Sequence, residues 1–150
     1  MSRVIHPVDR LSGRVRVPGD KSVSHRALMF GALAHGETRA TNMAPGADVR
    51  STASVLRQLG VTIDFDGDTA TVDGRGAEAF TAPAAPLDCG NSGTTMRLMM
   101  GILAGAPFEA TLIGDESLSG RPMGRVSNPL QPMGARFELT DGRPPVVVRG

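Results

Sequence analysis

Pro18-Gly19-Asp20-Lys21-Ser22-Val23-Ser24-His25-Arg26-Ala27 decides how this chain is organised. It follows an alternating segment, Arg14-Val15-Arg16-Val17, and runs into an apolar helical pattern. A strand over 13–17, a Pro-Gly turn and a helix start are therefore expected in succession. Free N–H groups and the dipole at a helix start favour anions. Lys21, Ser22, Ser24 and Arg26 would turn that tendency into a phosphate or carboxylate site.

Working outward, the first helix is expected over 22–34, with Val23, Ala27, Phe30 (or Leu28) and Leu33 as its apolar face and His35-Gly36 ending it. A short strand over 37–42 precedes a Pro45-Gly46 turn. Asp48 would cap a second helix through Leu59, with Val49, Ala53, Leu56 and Leu59 on one face and Gly60 as its stop. Val61, Ile63 and Phe65, an Asp66-Gly67-Asp68 turn, then Ala70 and Val72 predict a hairpin. Residues 74–86 are rich in Gly, Ala and Pro and read as a connector. The pattern then returns: a helix over 93–103, a strand over 108–113, a helix opened by Arg121-Pro122 and closed by Met133-Gly134, and a hairpin turning at Asp141-Gly142. Matching Arg26 with Arg97 and Gly60 with Gly134 gives a repeat of roughly 70 to 75 residues. Pro129 and Pro132 conflict with the last helix and predict a kink near 125–129 or an early end.

Composition narrows the function. The chain has 150 residues, 40% hydrophobic and 21% charged, enough for a buried core. Aromatics are 3%, with no Trp or Tyr, and net charge is +1, which argues against base-stacking or broadly basic nucleic-acid surfaces. No apolar run reaches membrane-spanning length, and the single cysteine, Cys89, permits no internal disulfide. A cytoplasmic protein is expected, with neither nucleic acid nor membrane as partner.

Three clusters place basic and small residues at or near helix starts: Lys21 to Arg26, Gly90-Asn91-Ser92-Gly93-Thr94-Thr95-Met96-Arg97, and Gly114-Asp115-Glu116-Ser117-Leu118-Ser119-Gly120-Arg121-Pro122-Met123-Gly124-Arg125. Glycines allow close approach to the backbone, and arginines grip oxyanions bidentately. Plainer readings stand beside these. Ser22 or Ser24 would serve as an N-cap, Arg26 and Arg97 as solvated helix residues, and Asp48 as a cap rather than a catalytic acid. Arg121 and Arg125 would pair with Asp115 or Glu116 at the surface. His25 has no visible partner, and Met96, Met99 and Met100 suit either the core or a cleft wall. Asp20 separates Gly19 from Lys21, so this is not a nucleotide P-loop. No metal-ligand spacing occurs.

The first cluster with its Pro-Gly lead, the run Leu87-Asp88-Cys89-Gly90-Asn91-Ser92-Gly93-Thr94-Thr95-Met96-Arg97-Leu98, and Gly114 to Arg125 resemble, in order and spacing, three signatures of the 5-enolpyruvylshikimate-3-phosphate synthase family, class II branch. The resemblance covers essentially the whole chain. It implies an α/β fold of repeated βαβαββ units, the enolpyruvyl transferase fold, here as an incomplete inside-out α/β domain. It also implies a transferase of the shikimate pathway toward chorismate and the aromatic amino acids. In that reaction the 5-hydroxyl of shikimate 3-phosphate attacks C2 of phosphoenolpyruvate while C3 is protonated, and the adduct loses phosphate. Neither a metal nor an organic cofactor is implied. By motif match, Lys21 is the catalytic candidate. Lys21, Ser22 and Arg26 would bind shikimate 3-phosphate, and Lys21, Gly93 and Arg121 would bind phosphoenolpyruvate. Asp48, Asn91, Thr94 and Arg97 would support them. Gly93 stands where some glyphosate-tolerant members carry alanine, so ordinary sensitivity to that inhibitor is implied for a complete enzyme.

The family's members are much longer and have two domains of three units each. The resemblance therefore implies that 1–18 is a strand segment packing on the other domain. Residues 19–150 would be two of three units, at about 19–76 and 87–150. The Ser-Ala-Gln phosphate-binding segment, the proton-transfer acids and later basic residues have no counterpart here. On this reading the chain needs a C-terminal portion for turnover. The alternatives are a non-catalytic phosphate-binding fragment, or a remnant whose exposed edges prevent folding.

Overall fold

The computed structural model describes residues 3–150. The elements are α1 (Lys21–Leu33), β1 (His35–Ala40), α2 (Ala47–Gln58), β2 (Thr62–Asp66), β3 (Thr69–Arg75), β4 (Leu87–Asp88), α3 (Gly93–Leu103), β5 (Glu109–Ile113), α4 (Glu116–Ser119), α5 (Gly124–Leu130), β6 (Arg136–Thr140) and β7 (Arg143–Arg149). Short 3-10 turns lie at Ala77–Ala79 and Gln131–Met133.

Two sheets form, ordered β1-β3-β2 and β4-β5-β7-β6. Every pairing is antiparallel except β4 with β5, which is parallel. The order β1-β3-β2 recurs as β5-β7-β6, so the repeat expected from sequence is carried by the topology. Each repeat ends in a hairpin, and the second hairpin turns through Asp141 and Gly142 at φ +52° and +72°. Two positive φ values match the right-handed twist of a two-residue turn, which explains the Asp-Gly pair.

The helices pack on one another and on the sheets. α1 packs on α2 and β3, α2 on α3, and α3 on α5. One face of each sheet closes on this helical layer: Ala70 and Val72 of β3, and Val146 and Val148 of β7, are buried. The neighbouring strand positions reach toward solvent, the period-two alternation of a half-covered sheet. One apolar core joins both repeats, with Leu28, Leu56, Met96, Met99, Met100 and Leu112 fully buried. The three methionines of α3 therefore belong to the core and not to a cleft wall.

α2 follows the expected face: Val49, Ala53, Leu56 and Leu59 are all buried. α1 does not. Val23 and Phe30 are 64% and 66% exposed, and the inward stripe is Ser24, His25, Leu28, Met29 and Ala32. Two polar residues occupy this stripe because partners from distant segments meet them. The Ser24 hydroxyl accepts the Ala44 N–H at 2.9 Å and donates to the Asp20 carbonyl at 2.8 Å.

The caps also differ from expectation. Asp20, not Ser22 or Ser24, caps α1, accepting the Val23 N–H at 2.7 Å. Gly46, not Asp48, is the N-cap of α2, which leaves Asp48 in the first turn, where a carboxylate suits the dipole. Gly36 does not end α1: the helix stops at Leu33 and Gly36 already belongs to β1. Arg121-Pro122 opens no helix but lies between α4 and α5. The early end expected from the prolines is present. α5 carries Pro129, stops at Leu130, passes into the 3-10 turn and finishes at Gly134, φ +106°. The strand expected over 13–17 is absent, and Val15 and Val17 are 86% and 67% exposed. An extended segment without a neighbour cannot pair its backbone, and none of the described residues pairs with it.

Candidate functional site

The expected site residues fall into two groups on neighbouring elements. In the first, the Lys21 ammonium at the start of α1 pairs with the Asp48 carboxylate in the first turn of α2. The Lys21 side chain is half exposed. One turn along α1, Arg26 folds back and donates from Nη1 to the Ser22 carbonyl at 3.0 Å. Ser22 itself is exposed. The start of α1 thus presents an ammonium, a hydroxyl and a guanidinium near helix N–H groups, with two carboxylates, Asp48 and the capping Asp20, tempering the charge.

The second group gathers around Gly93, the first residue of α3. Arg121 donates from Nη2 to Asn91 Oδ1 at 2.9 Å and to Ser117 Oγ at 3.2 Å. Asn91 Nδ2 in turn donates to both oxygens of Asp115, at 2.8 and 3.0 Å. The Arg121–Asp115 surface pair expected from spacing is therefore bridged by Asn91. Asp115 caps α4 through the Leu118 N–H at 2.8 Å. That bond, then the one from Asn91, holds its carboxyl below the usual aspartate range, with the Arg121 charge helping. Arg97 donates to the Pro122 carbonyl at 3.1 Å, and its Nε is buried without a partner. Gly93 lies between the two guanidiniums: a Cβ there would sit 2.8 Å from Arg97 Nη1 and 3.4 Å from Arg121 Nη1. Thr94 follows Gly93, partly buried on the same turn.

Between the groups lies a feature that spacing did not show. His25, Thr52, Thr95 and Ser92 are all buried. His25 Nδ1 is 2.6 Å from Thr52 Oγ1, which is 2.7 Å from Thr95 Oγ1. Thr95 Oγ1 reaches Ser92 Oγ at 2.7 Å and the Asp48 carbonyl at 3.3 Å. The available signal was a hydroxyl inside each apolar stripe, Thr52 beside Val49 and Leu56, and Thr95 beside Met96 and Met99. Cys89 is an inert core thiol, pushed up to about 12 by burial and the Asp88 charge.

Burial lowers the His25 pKa from 6.5, and Lys21 and Arg26 lower it further against an opposing pull from Asp48. The folded chain therefore resists a proton that the unfolded chain accepts. Stability is expected to be full above about pH 6.5 and to fall as pH drops through and below it, by at most about 1.4 kcal/mol per pH unit. Urea midpoints at about pH 7.5 and about pH 5.5 would read this. His25→Gln should flatten the difference; an equal slope in that variant would assign it to other groups.

An α/β repeat with helices packed on two sheets and basic side chains near its helix starts has the organisation of the enolpyruvyl transferase fold. The chain belongs to the EPSP synthase (3-phosphoshikimate 1-carboxyvinyltransferase) family, which residues 5–150 match. It is 50% identical over 148 residues to the 3-phosphoshikimate 1-carboxyvinyltransferase of Acidithiobacillus ferrooxidans, covering 98% of this chain and 34% of that protein. It is 54% identical over 145 residues to the protein of the same name from Geobacillus kaustophilus, covering 95% and 34%. The EPSP synthase structure from Acinetobacter baumannii superposes with a TM-score of 0.88 at 45% identity, over 92% of this chain and 32% of that one. The chain thus spans about a third of the length of the curated relatives it matches. Among the described residues no helix is long and apolar enough to cross a membrane.

Proposed function

We propose that this chain supplies one wall of an enolpyruvyl transfer site. There the 5-hydroxyl of shikimate 3-phosphate takes the enolpyruvyl group of phosphoenolpyruvate and phosphate leaves. The observation that carries this reading is the pair of guanidiniums, Arg97 and Arg121, flanking Gly93 on the first turn of α3. A planar anion such as phosphoenolpyruvate fits beside a residue without a side chain and between two forked donors. Lys21, Ser22 and Arg26 take the phosphate of shikimate 3-phosphate, and Lys21, shared between substrates, is the catalytic group. Asp48 and Asn91 hold Lys21 and Arg121 through an ion pair and a hydrogen bond, with Thr94 and Arg97 as further supports, Arg97 also presenting its guanidinium to the ligand. Cations aimed at developing negative charge supply the electrostatic part of such a reaction. The setting is cytoplasmic, and the partners are small molecules.

The same reading treats the described elements as two of three units of one domain, with the segment before α1 packing on a second domain. Asn91, Asp115 and Lys21 are exposed, so the wall is open to solvent. This favours binding over turnover by the 150 residues alone. Titration of the purified chain with each substrate, followed by backbone amide shifts, should move residues 21–26 and 91–97. Incubation with both substrates together should release no phosphate. Release of phosphate would show that these residues suffice, and silent amides in both stretches would remove the anion-site reading.

A further inference from the structure

The buried chain His25–Thr52–Thr95–Ser92 links the starts of the three helices that carry the candidate site. Lys21 and Arg26 flank His25 on α1. Asp48 lies one turn before Thr52 on α2. Gly93, Thr94 and Arg97 surround Thr95 on α3, whose N-cap is Ser92. Among the described residues no side-chain hydrogen bond runs directly between the Lys21–Asp48 group and the Arg97–Arg121 group. Core hydroxyls are costly unless bonded, and a valine would fill the space of either threonine. A fully bonded network, by contrast, holds its elements in a single arrangement.

One assignment satisfies the Asp48 carbonyl as well as the hydroxyls: Thr95 donates to that carbonyl, which only accepts, Thr52 donates to Thr95, and His25 donates from Nδ1–H to Thr52. His25 Nε2 is left as a bare lone pair, and it is indeed the ring atom without a partner. An orphaned lone pair is more tolerable in a core than an orphaned N–H.

We propose that His25, Thr52, Thr95 and Ser92 are positioning residues that set the separation between the two cationic groups, so that a ligand bridging both depends on hydroxyls it never touches. The proposal rests on the anion-site reading above. A ligand with two anionic ends, phosphoenolpyruvate, must feel the spacing, whereas inorganic phosphate engages one group at a time. Misplacing paired contacts is costly because both must be met in one geometry.

The test compares Thr52→Val and Thr95→Val with Thr52→Ser in the 150-residue chain, with phosphoenolpyruvate and inorganic phosphate titrated separately by NMR. Each valine variant should weaken phosphoenolpyruvate about tenfold and leave phosphate within about twofold. Thr52→Ser, which keeps the hydroxyl, should behave as the parent. Unchanged phosphoenolpyruvate affinity in the valine variants, equal weakening of both ligands, or failure of serine to rescue would overturn positioning while leaving the anion site intact. A parent chain that binds neither ligand would overturn the anion-site reading and this proposal with it. Should the valine variants not fold, imidazole nitrogen shifts of the parent decide: the Nδ1–H tautomer supports the directed chain, and the Nε2–H tautomer overturns it.

Discussion

Lys21→Ala is expected to weaken phosphoenolpyruvate binding by about a hundredfold, more than any other single truncation at the site. Two effects add. The substitution removes a charge-assisted donor at a helix start, worth about 1.5–3 kcal/mol. It also frees the Asp48 carboxylate, which Lys21 neutralises, to repel the incoming anion. The second effect can be isolated. Asp48→Asn on the Lys21→Ala background should recover part of the loss, although it adds no cation. Stability should change little, because the ion pair is half exposed on the lysine side and such pairs contribute about 0–1 kcal/mol. Calorimetric titration of the three chains gives the comparison. Equal affinity in Lys21→Ala and parent would remove Lys21 from the site, and no recovery in the double variant would remove Asp48 repulsion.

The contrast between α1 and α2 shows where sequence reading runs out. The α2 stripe of Val49, Ala53 and Leu56 is apolar and local, so helical periodicity finds it. α1 buries Ser24 and His25 instead of Val23 and Phe30 because Ala44 and Thr52 supply partners. Those partners lie outside the window in which periodicity is read. The hairpins were legible because Asp-Gly chemistry dictates a turn from within. The helix break between α4 and α5 was hidden because Pro122 suits a first helical turn in isolation. The site divides in the same way. The first two clusters were legible as motifs, since small residues, hydroxyls and a basic side chain at a helix start mean the same thing in any fold. The Thr52–Thr95 contact, which together with His25–Thr52 links the first two clusters, is visible only once α2 lies against α3.

Gly93→Ala should separate binding from folding. At the first position of α3 the nearest atoms the added methyl meets are the guanidinium ends of Arg97 and Arg121, side-chain tips rather than backbone, whose displacement relieves the contact. Alanine also lowers the conformational entropy of the unfolded chain, an effect of about 0.4–1 kcal/mol in favour of the fold. The melting temperature is therefore expected to hold or rise. Binding should suffer, because the tips that move are the donors aimed beside Gly93. Arg97 is tethered to the Pro122 carbonyl, and Arg121 to Asn91 and Ser117, so each has few alternative positions that keep its anchor. Phosphoenolpyruvate affinity should fall at least about tenfold, since losing one arm of a paired contact costs about 1.4 kcal/mol or more. Thermal melts and titration on one preparation decide the matter. A drop in melting temperature parallel to the affinity loss would make Gly93 a packing residue. Undiminished affinity would mean that the ligand does not sit between the two arginines.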